Sequence, residues 1–229
     1  MLKHITIEGV RNLTQAQVTL PAGATVLFGA NGSGKTSFLE AIHLLGVGRS
    51  FRTHQSKPVI QHGMAHCRVV GEVQRGGRTT VMGLEKHRDG GVKARVGGEN
   101  VPSLSELALH LPLVLLDTEG LGIVTGPPEG RRRLLDGTLF HVEQGFLSHW
   151  KRYALAVRQR NSGLRRGILG SDSAWRQEIA ETGTLLTQQR QAVAEKIAHE
   201  LARLAPALSD DLAGLEVVFR AGWDQKLSL

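Results

Sequence analysis

Polar and apolar residues alternate through the first twenty positions. Ile5 and Ile7, then Val18 and Leu20, recur at a spacing of two, the rhythm of strands with one face in a core and the other in water. Residues 24–28 (ATVLF) form a nearly continuous apolar run, which predicts a strand covered on both faces. Phe38, Leu39, Ala41, Ile42, Leu44 and Leu45 then fall at helical spacing and predict a buried helix. Three more strand-like runs follow at 67–74, 79–84 and 92–96. The separators Arg75-Gly76-Gly77-Arg78 and Asp89-Gly90-Gly91 suit hairpin turns, because glycine reaches positive φ without steric cost. An antiparallel meander built around one helix is the expectation for this half.

Past Pro112 the rhythm lengthens. From Glu129 to Arg166 apolar residues recur at three-and-four spacing, 167–172 reads as a loop, and Ser173 is placed to cap a second helix running to about Leu204. Trp175, Ile179, Thr182, Leu186, Val193, Ile197 and Leu204 lie close to a heptad seam, so the two helices pair antiparallel, as a short coiled coil or as an ordinary helical hairpin. Pro206 is expected to end the second helix, and 215–220 to begin a strand. The expected division is a β-rich lobe over residues 1–112 and a helical arm over 113–229.

Composition narrows the function classes. A formal charge of +7 is compatible with a polyanionic partner. A single cysteine, Cys67, allows no internal disulfide and points to a reducing, cytoplasmic setting. No stretch approaches eighteen uninterrupted apolar residues, so no membrane span is expected. His62 and His66 are four apart but lack a cysteine pair or acidic partner at ligand spacing, and are read as structural.

The chemistry concentrates between the apolar run and the first helix. Gly29-x4-Gly34-Lys35-Thr36 fits a phosphate-binding loop. In such a loop a strand ends abruptly and a helix begins, so that backbone N–H groups converge on an anion. Gly29, Gly32 and Gly34 permit the tight path, with Ala30, Asn31 and Ser33 between them. Lys35 would place a positive charge between the β- and γ-phosphates, Thr36 would offer its hydroxyl to Mg²⁺, and Ser37 opens the helix whose dipole favours the anion. Turnover needs more: a carboxylate at the end of an apolar strand and a group that orients water. The candidate is LPLVLLDTEG (111–120), with Asp117 as metal carboxylate and Glu119 as base. Thr118 separates the pair, so a plain crossing into the helical half is the alternative.

Four segments carry a family resemblance. KHITIEGVRNL (3–13), GANGSGKTSFLEAIHLLGVGRSFRT (29–53), DTEGLGIVTGPPEGRRRLLD (117–136) and WKRYALAVRQRNSGLRR (150–166) resemble, in order, blocks of the RecF family of bacterial recombination and repair ATPases of the ABC/SMC class. The resemblance implies an α/β P-loop NTPase head, lobe I carrying the antiparallel strands and lobe II a helical arm. It implies that Asn31–Thr36 hold ATP phosphates and Mg²⁺, with Arg11 and Asn12 near the nucleotide. It further implies closure as a homodimer around two ATPs, binding of gapped or junction DNA with RecO and RecR partners, and loading of RecA recombinase. No Leu-Ser-x-Gly-Gln signature and no Asp-Asp or Asp-Glu strand is found, and KLSL (226–229) is too short to serve. The chain is therefore expected to be the front part of such a protein, binding nucleotide weakly at best and not turning it over alone. Competing readings are an ABC-type subunit that couples ATP to a membrane transporter and, more weakly, a small-molecule kinase.

Arg131, Arg132, Arg133, Lys151, Arg152, Arg158, Arg160, Arg165 and Arg166 concentrate positive charge on the first arm helix. They form either a sequence-independent track for DNA phosphates or a solvated face whose arginine stems cover apolar surface. One Tyr and three Trp supply little for base stacking, so contact with a duplex backbone is the expected mode.

Overall fold

The computed structural model describes residues 1–53, 55–116, 120, 122–143, 145–167 and 173–223, the side chains of 141 and 142 excepted. These fall into two compact units, Met1–Leu115 and Leu116–Leu229.

The first unit is a six-stranded antiparallel sheet with one long helix on it. Its strands are β1 (Leu2–Val10), β2 (Leu13–Thr19), β3 (His66–Arg75), β4 (Arg78–His87), β5 (Val92–Val96) and β6 (Glu99–Asn100), ordered β2-β1-β3-β4-β5-β6. The period-two pattern decides which face is covered. Ile5, Ile7, Val69, Met82 and Leu84 all point inward and are buried. Helix α1 (Lys35–Val47) lays Phe38, Ala41, Leu44 and Leu45 into the same core. Each of these side chains larger than alanine contributes about 1.5–3 kcal/mol on leaving water. Gly76 and Gly77, at φ 55° and 80°, make the tight turn between β3 and β4, where Arg75 faces Arg78. Cys67, on β3, turns to the buried face of the sheet, and burial pushes its thiol up to about 11.

The run 24–28 differs from expectation: no ladder includes it, and Val26 and Phe28 are 79% and 90% exposed. A strand covered on both faces requires neighbours, and none of the described residues pairs with this one. The same holds for 215–220, where Val218 is 71% exposed. Beyond β6, α2 (Ser105–His110) packs Leu107 into the core, and Leu111 closes it.

The second unit is helical: α3 (Gly122–Thr125), α4 (Pro128–Val142), α5 (Phe146–Arg165), α6 (Ser173–Leu208) and a 3₁₀ turn (Asp210–Leu212). Pro128 occupies the first turn of α4, where its missing N–H costs nothing. The expected single helix over 129–166 is broken, because Glu143 is extended and Gly145 is left-handed at φ 88°, which starts α5 afresh. Along α6 the middle of the seam is buried, at Thr182, Leu186 and Val193, whereas Trp175 and Leu204 are 37% and 45% exposed. Leu139 and Phe146 complete that small core, and Arg190 grips Asp136 through two bonds of 2.7 and 2.9 Å. Pro206 does not end α6. With two residues left to run, its ring removes only a terminal backbone bond, and the helix reaches Leu208. No helix among the described residues is long and apolar enough to cross a membrane.

Candidate nucleotide-binding site

Residues 29–37 lead from the unpaired run into α1. Gly29, Gly32 and Gly34 stand at φ 147°, 79° and 99°. The arc they form is a backbone path that side chains with a Cβ adopt only under strain. Gly34 precedes the first helical residue, and its carbonyl accepts the first-turn bond from the Phe38 N–H at 2.8 Å. No side chain caps this end, and no acidic residue lies in the first turn. The orphan N–H groups and the positive end of the helix dipole therefore face the arc.

Lys35 is half-buried, and its Nζ donates to the Gly29 and Ala30 carbonyls at 2.9 and 2.8 Å. The ammonium thus spans the mouth of the arc and is positioned to exchange weak neutral acceptors for phosphate oxygens. Thr36 is exposed, Ser33 bonds back to Ala30 at 3.2 Å, and Asn31 and Gly32 are exposed on the rim. These donors fit a triphosphate tail. The Thr36 hydroxyl is exposed at the start of α1, and among the described residues no group of three His, Cys, Asp or Glu side chains forms a metal centre.

Asn12 reaches the arc directly: its Nδ2 donates to the Gly32 carbonyl at 2.6 Å, and its Oδ1 accepts from the Ser37 hydroxyl at 2.7 Å. Arg11 points elsewhere, its Nε and Nη2 donating to the two carboxylate oxygens of Glu40 at 2.9 and 2.7 Å. Glu40 is fully buried within α1 and went unread in the sequence. Its signal was available: it stands three residues past buried Ser37 and four before buried Leu44, a charge on a core stripe. Burial alone would raise its pKa. The hydrogen bonds from Arg11 and Ser50 and the charges of Arg11 and Arg52 outweigh that and hold it below the ordinary carboxylate value.

The basic candidates separate by partner. Arg131 Nη1 donates to the carbonyls of Ile123, Val124 and Gly126, finishing α3. Arg132 pairs with Glu129 at 2.6 Å, Arg133 leans on the Glu129 carbonyl at 3.4 Å, and Arg152 forks onto Glu178 at 2.7 and 3.0 Å. Arg160 is half-buried. Lys151, Arg158 and Arg165 are exposed at a spacing of seven along α5, one stripe of the helix, with Arg166 beside its end. Asp117 and Glu119 lie outside the described residues.

The RecF/RecN/SMC N-terminal domain matches residues 1–209. The chain belongs to this family. Its curated relatives include the DNA replication and repair protein RecF of Azotobacter vinelandii, 40% identical over 238 residues that take in 100% of this chain and 63% of that protein. RecF of Stutzerimonas stutzeri is 40% identical over 227 residues, 98% of this chain and 61% of the relative. The chain thus spans less than two thirds of the length of either. A solved structure of the recombination mediator protein RecF with ATP, from the RecFOR pathway, superposes with a TM-score of 0.84 at 25% identity, over 92% of this chain and 58% of that one. An Smc head with an extended coiled coil from Pyrococcus furiosus, bound to the C-terminal domain of ScpA, superposes at 0.51 with 16% identity, over 90% of this chain and 65% of that one, a likeness of fold alone. The family's P-loop NTPase head is therefore the fold of this chain, with its antiparallel sheet and helices.

Proposed function

We propose that this chain is the nucleotide-binding head of a DNA replication and repair protein of the RecF type, taking ATP with Mg²⁺ at residues 29–37. The observation that carries the reading is the uncapped, glycine-moulded N-terminus of α1 with Lys35 across its mouth. Backbone N–H groups and Lys35 hold the β- and γ-phosphates, and Thr36 gives its hydroxyl to the metal. The ATP named with the similar RecF structure supports the choice of nucleotide. Relatives named for DNA replication and repair favour a DNA partner over a membrane transporter.

In this reading two copies close around two ATP molecules, engage DNA together with RecR and RecO partners, and help to load RecA at gaps. Lys151, Arg158 and Arg165 supply the DNA contact. Their pitch along α5, about 10 Å per seven residues, suits phosphates of a duplex backbone rather than stacked bases. Phosphoryl transfer needs a second metal-holding carboxylate and a water-orienting group. Because Thr118 separates the candidate pair Asp117 and Glu119, the chain alone is read as binding ATP without turning it over.

Calorimetric titration of the chain with ATP and Mg²⁺ tests the core of the proposal. Binding should weaken by about tenfold or more in Lys35→Ala, in line with the loss of a charge-assisted contact. A wild-type chain that takes up no nucleotide refutes the proposal, and Lys35-dependent phosphate release by the chain alone refutes the part concerning turnover.

A further inference from the structure

We infer that Asn12 is the positioning residue that sets the shape of the phosphate-binding arc, and that Arg11 and Glu40 hold Asn12 in place. The case starts with a strained residue. Arg11, in the turn between β1 and β2, has φ 54° and is the non-glycine residue at positive φ among those described. That conformation is disfavoured for a side chain with a Cβ, so its surroundings must fix it. They do so through four hydrogen bonds. The Arg11 N–H donates to the Val59 carbonyl at 2.8 Å, Nη1 to the Pro58 carbonyl at 2.6 Å, and Nε and Nη2 fork onto Glu40. Glu40 in turn accepts the Ser50 hydroxyl at 2.5 Å and lies 3.7 Å from Arg52. Three of the five guanidinium N–H groups are engaged in this way, and they tie the side chain to Glu40 and Pro58. Its effect passes along the backbone to the next residue.

That next residue cross-links the arc. A carbonyl only accepts, so the Gly32 oxygen fixes which end of the Asn12 carboxamide is the NH₂ group, and the Ser37 hydroxyl donates to the other end. One side chain therefore joins the middle of the loop to the first turn of α1. It also holds the Gly32 carbonyl, the negative end of a peptide dipole, on a donor. Released, that carbonyl could turn toward the concavity and oppose an anion. Leu13 completes the template: a Cβ added to Gly34 would lie 2.6 Å from Leu13 Cδ2 and 3.6 Å from Asn12 Nδ2. The three residues Arg11, Asn12 and Leu13 thus form the surface against which the loop is shaped.

The inference concerns the shape of the loop, and its consequence for ligand affinity rests on the nucleotide-binding reading. The test uses two readouts on the full chain. The first needs no ligand: cleavage by a lysine-specific protease after Lys35, with Lys86, buried in β4, as the internal control for global unfolding. Asn12→Ala should speed cleavage after Lys35 by about tenfold, as the loss of one or two hydrogen bonds implies, while leaving cleavage after Lys86 within about twofold. Glu40→Gln should shift the same site in the same direction. If Asn12→Ala speeds both sites together, Ser37→Ala decides, since it removes the bond from the other side and must accelerate Lys35 alone. An unchanged rate after Lys35 in the variant that stays folded overturns the inference. The second readout is affinity for ATP with Mg²⁺ and for inorganic triphosphate. Asn12→Ala should weaken both by the same factor of about ten. Weakening for ATP alone would make Asn12 a ligand of base or sugar and overturn the positioning role. A wild-type chain that binds neither probe overturns the nucleotide reading, while the protease arm still judges the shape of the loop.

Discussion

Gly34→Ala is the sharpest single test of the arc. The residue stands at φ 99° and ψ 3°, and an alanine there meets two separate costs. Left-handed backbone disfavours an L side chain by about 1–2 kcal/mol. The new methyl would sit 2.6 Å from Leu13 Cδ2, and Leu13 packs against the core of the first unit, so relief requires repacking at about 1–3 kcal/mol. The sum, about 2–5 kcal/mol, is a large part of the 5–15 kcal/mol that holds a domain of this size. Urea unfolding should be followed by far-UV circular dichroism, because Trp150, Trp175 and Trp223 all belong to the second unit and none to the first. A Leu13→Ala companion separates the two costs. The double variant should be more stable than the sum of the single effects by about 1–3 kcal/mol, the steric share, and should keep the backbone share. A Gly34→Ala chain within about 0.5 kcal/mol of wild type, or strictly additive single effects, would show that neither the left-handed turn nor the Leu13 contact exists as described.

Glu40 has its pKa held below the ordinary 4.5, so its contribution to stability is complete above that value and is lost as pH falls through the lowered one. The denaturation midpoint of wild type should therefore drop more steeply between pH 5 and pH 3 than that of Glu40→Gln, and parallel curves would count against the buried ion pair. Replacing Lys151, Arg158 and Arg165 together by glutamine should flatten the logarithmic salt dependence of DNA retention on filters by about 2.7, three phosphates at about 0.9 each. Arg132→Gln, whose charge already faces Glu129, should change that slope far less, and equal effects would dissolve the proposed stripe. Val26→Thr with Phe28→Ser should lower the tendency of the chain to self-associate in sedimentation velocity, since both side chains are exposed on an unpaired apolar run. Unchanged association would place the sticky surface elsewhere.

The sequence was most legible where a residue type has one physical use. Gly76-Gly77 could only be a tight turn, and the turn sits where β3 meets β4. Gly29, Gly34, Lys35 and Thr36 named a loop whose glycines take the positive φ values that such a loop needs. The central positions of the α6 seam were readable for the same reason, because a heptad stripe has one buried side. Legibility failed where the outcome depends on partners far along the chain. An apolar run such as 24–28 specifies a wish for neighbours, not their presence. The break at Glu143–Gly145 was hidden because the apolar spacing continues across it, and only the left-handed Gly145 resets the helix. Arg131, Arg132 and Arg152 stand out in the sequence by their charge, whereas the carbonyls and carboxylates they meet are set by the fold. Glu40 is the clearest omission: a lone acid on a core stripe predicts a buried cation partner, and that partner was already in view as Arg11.

Cys67 has a practical consequence. At neutral pH a thiol with its pKa near 11 is ionised in only about one molecule in ten thousand, and this one is buried in the core besides. Maleimide and iodoacetamide reagents should therefore pass it by. A cysteine introduced at Arg158, or beside the loop at Ala30, can then carry a fluorophore or spin label on the otherwise native chain, which opens distance measurements between helix and loop without first deleting a core residue.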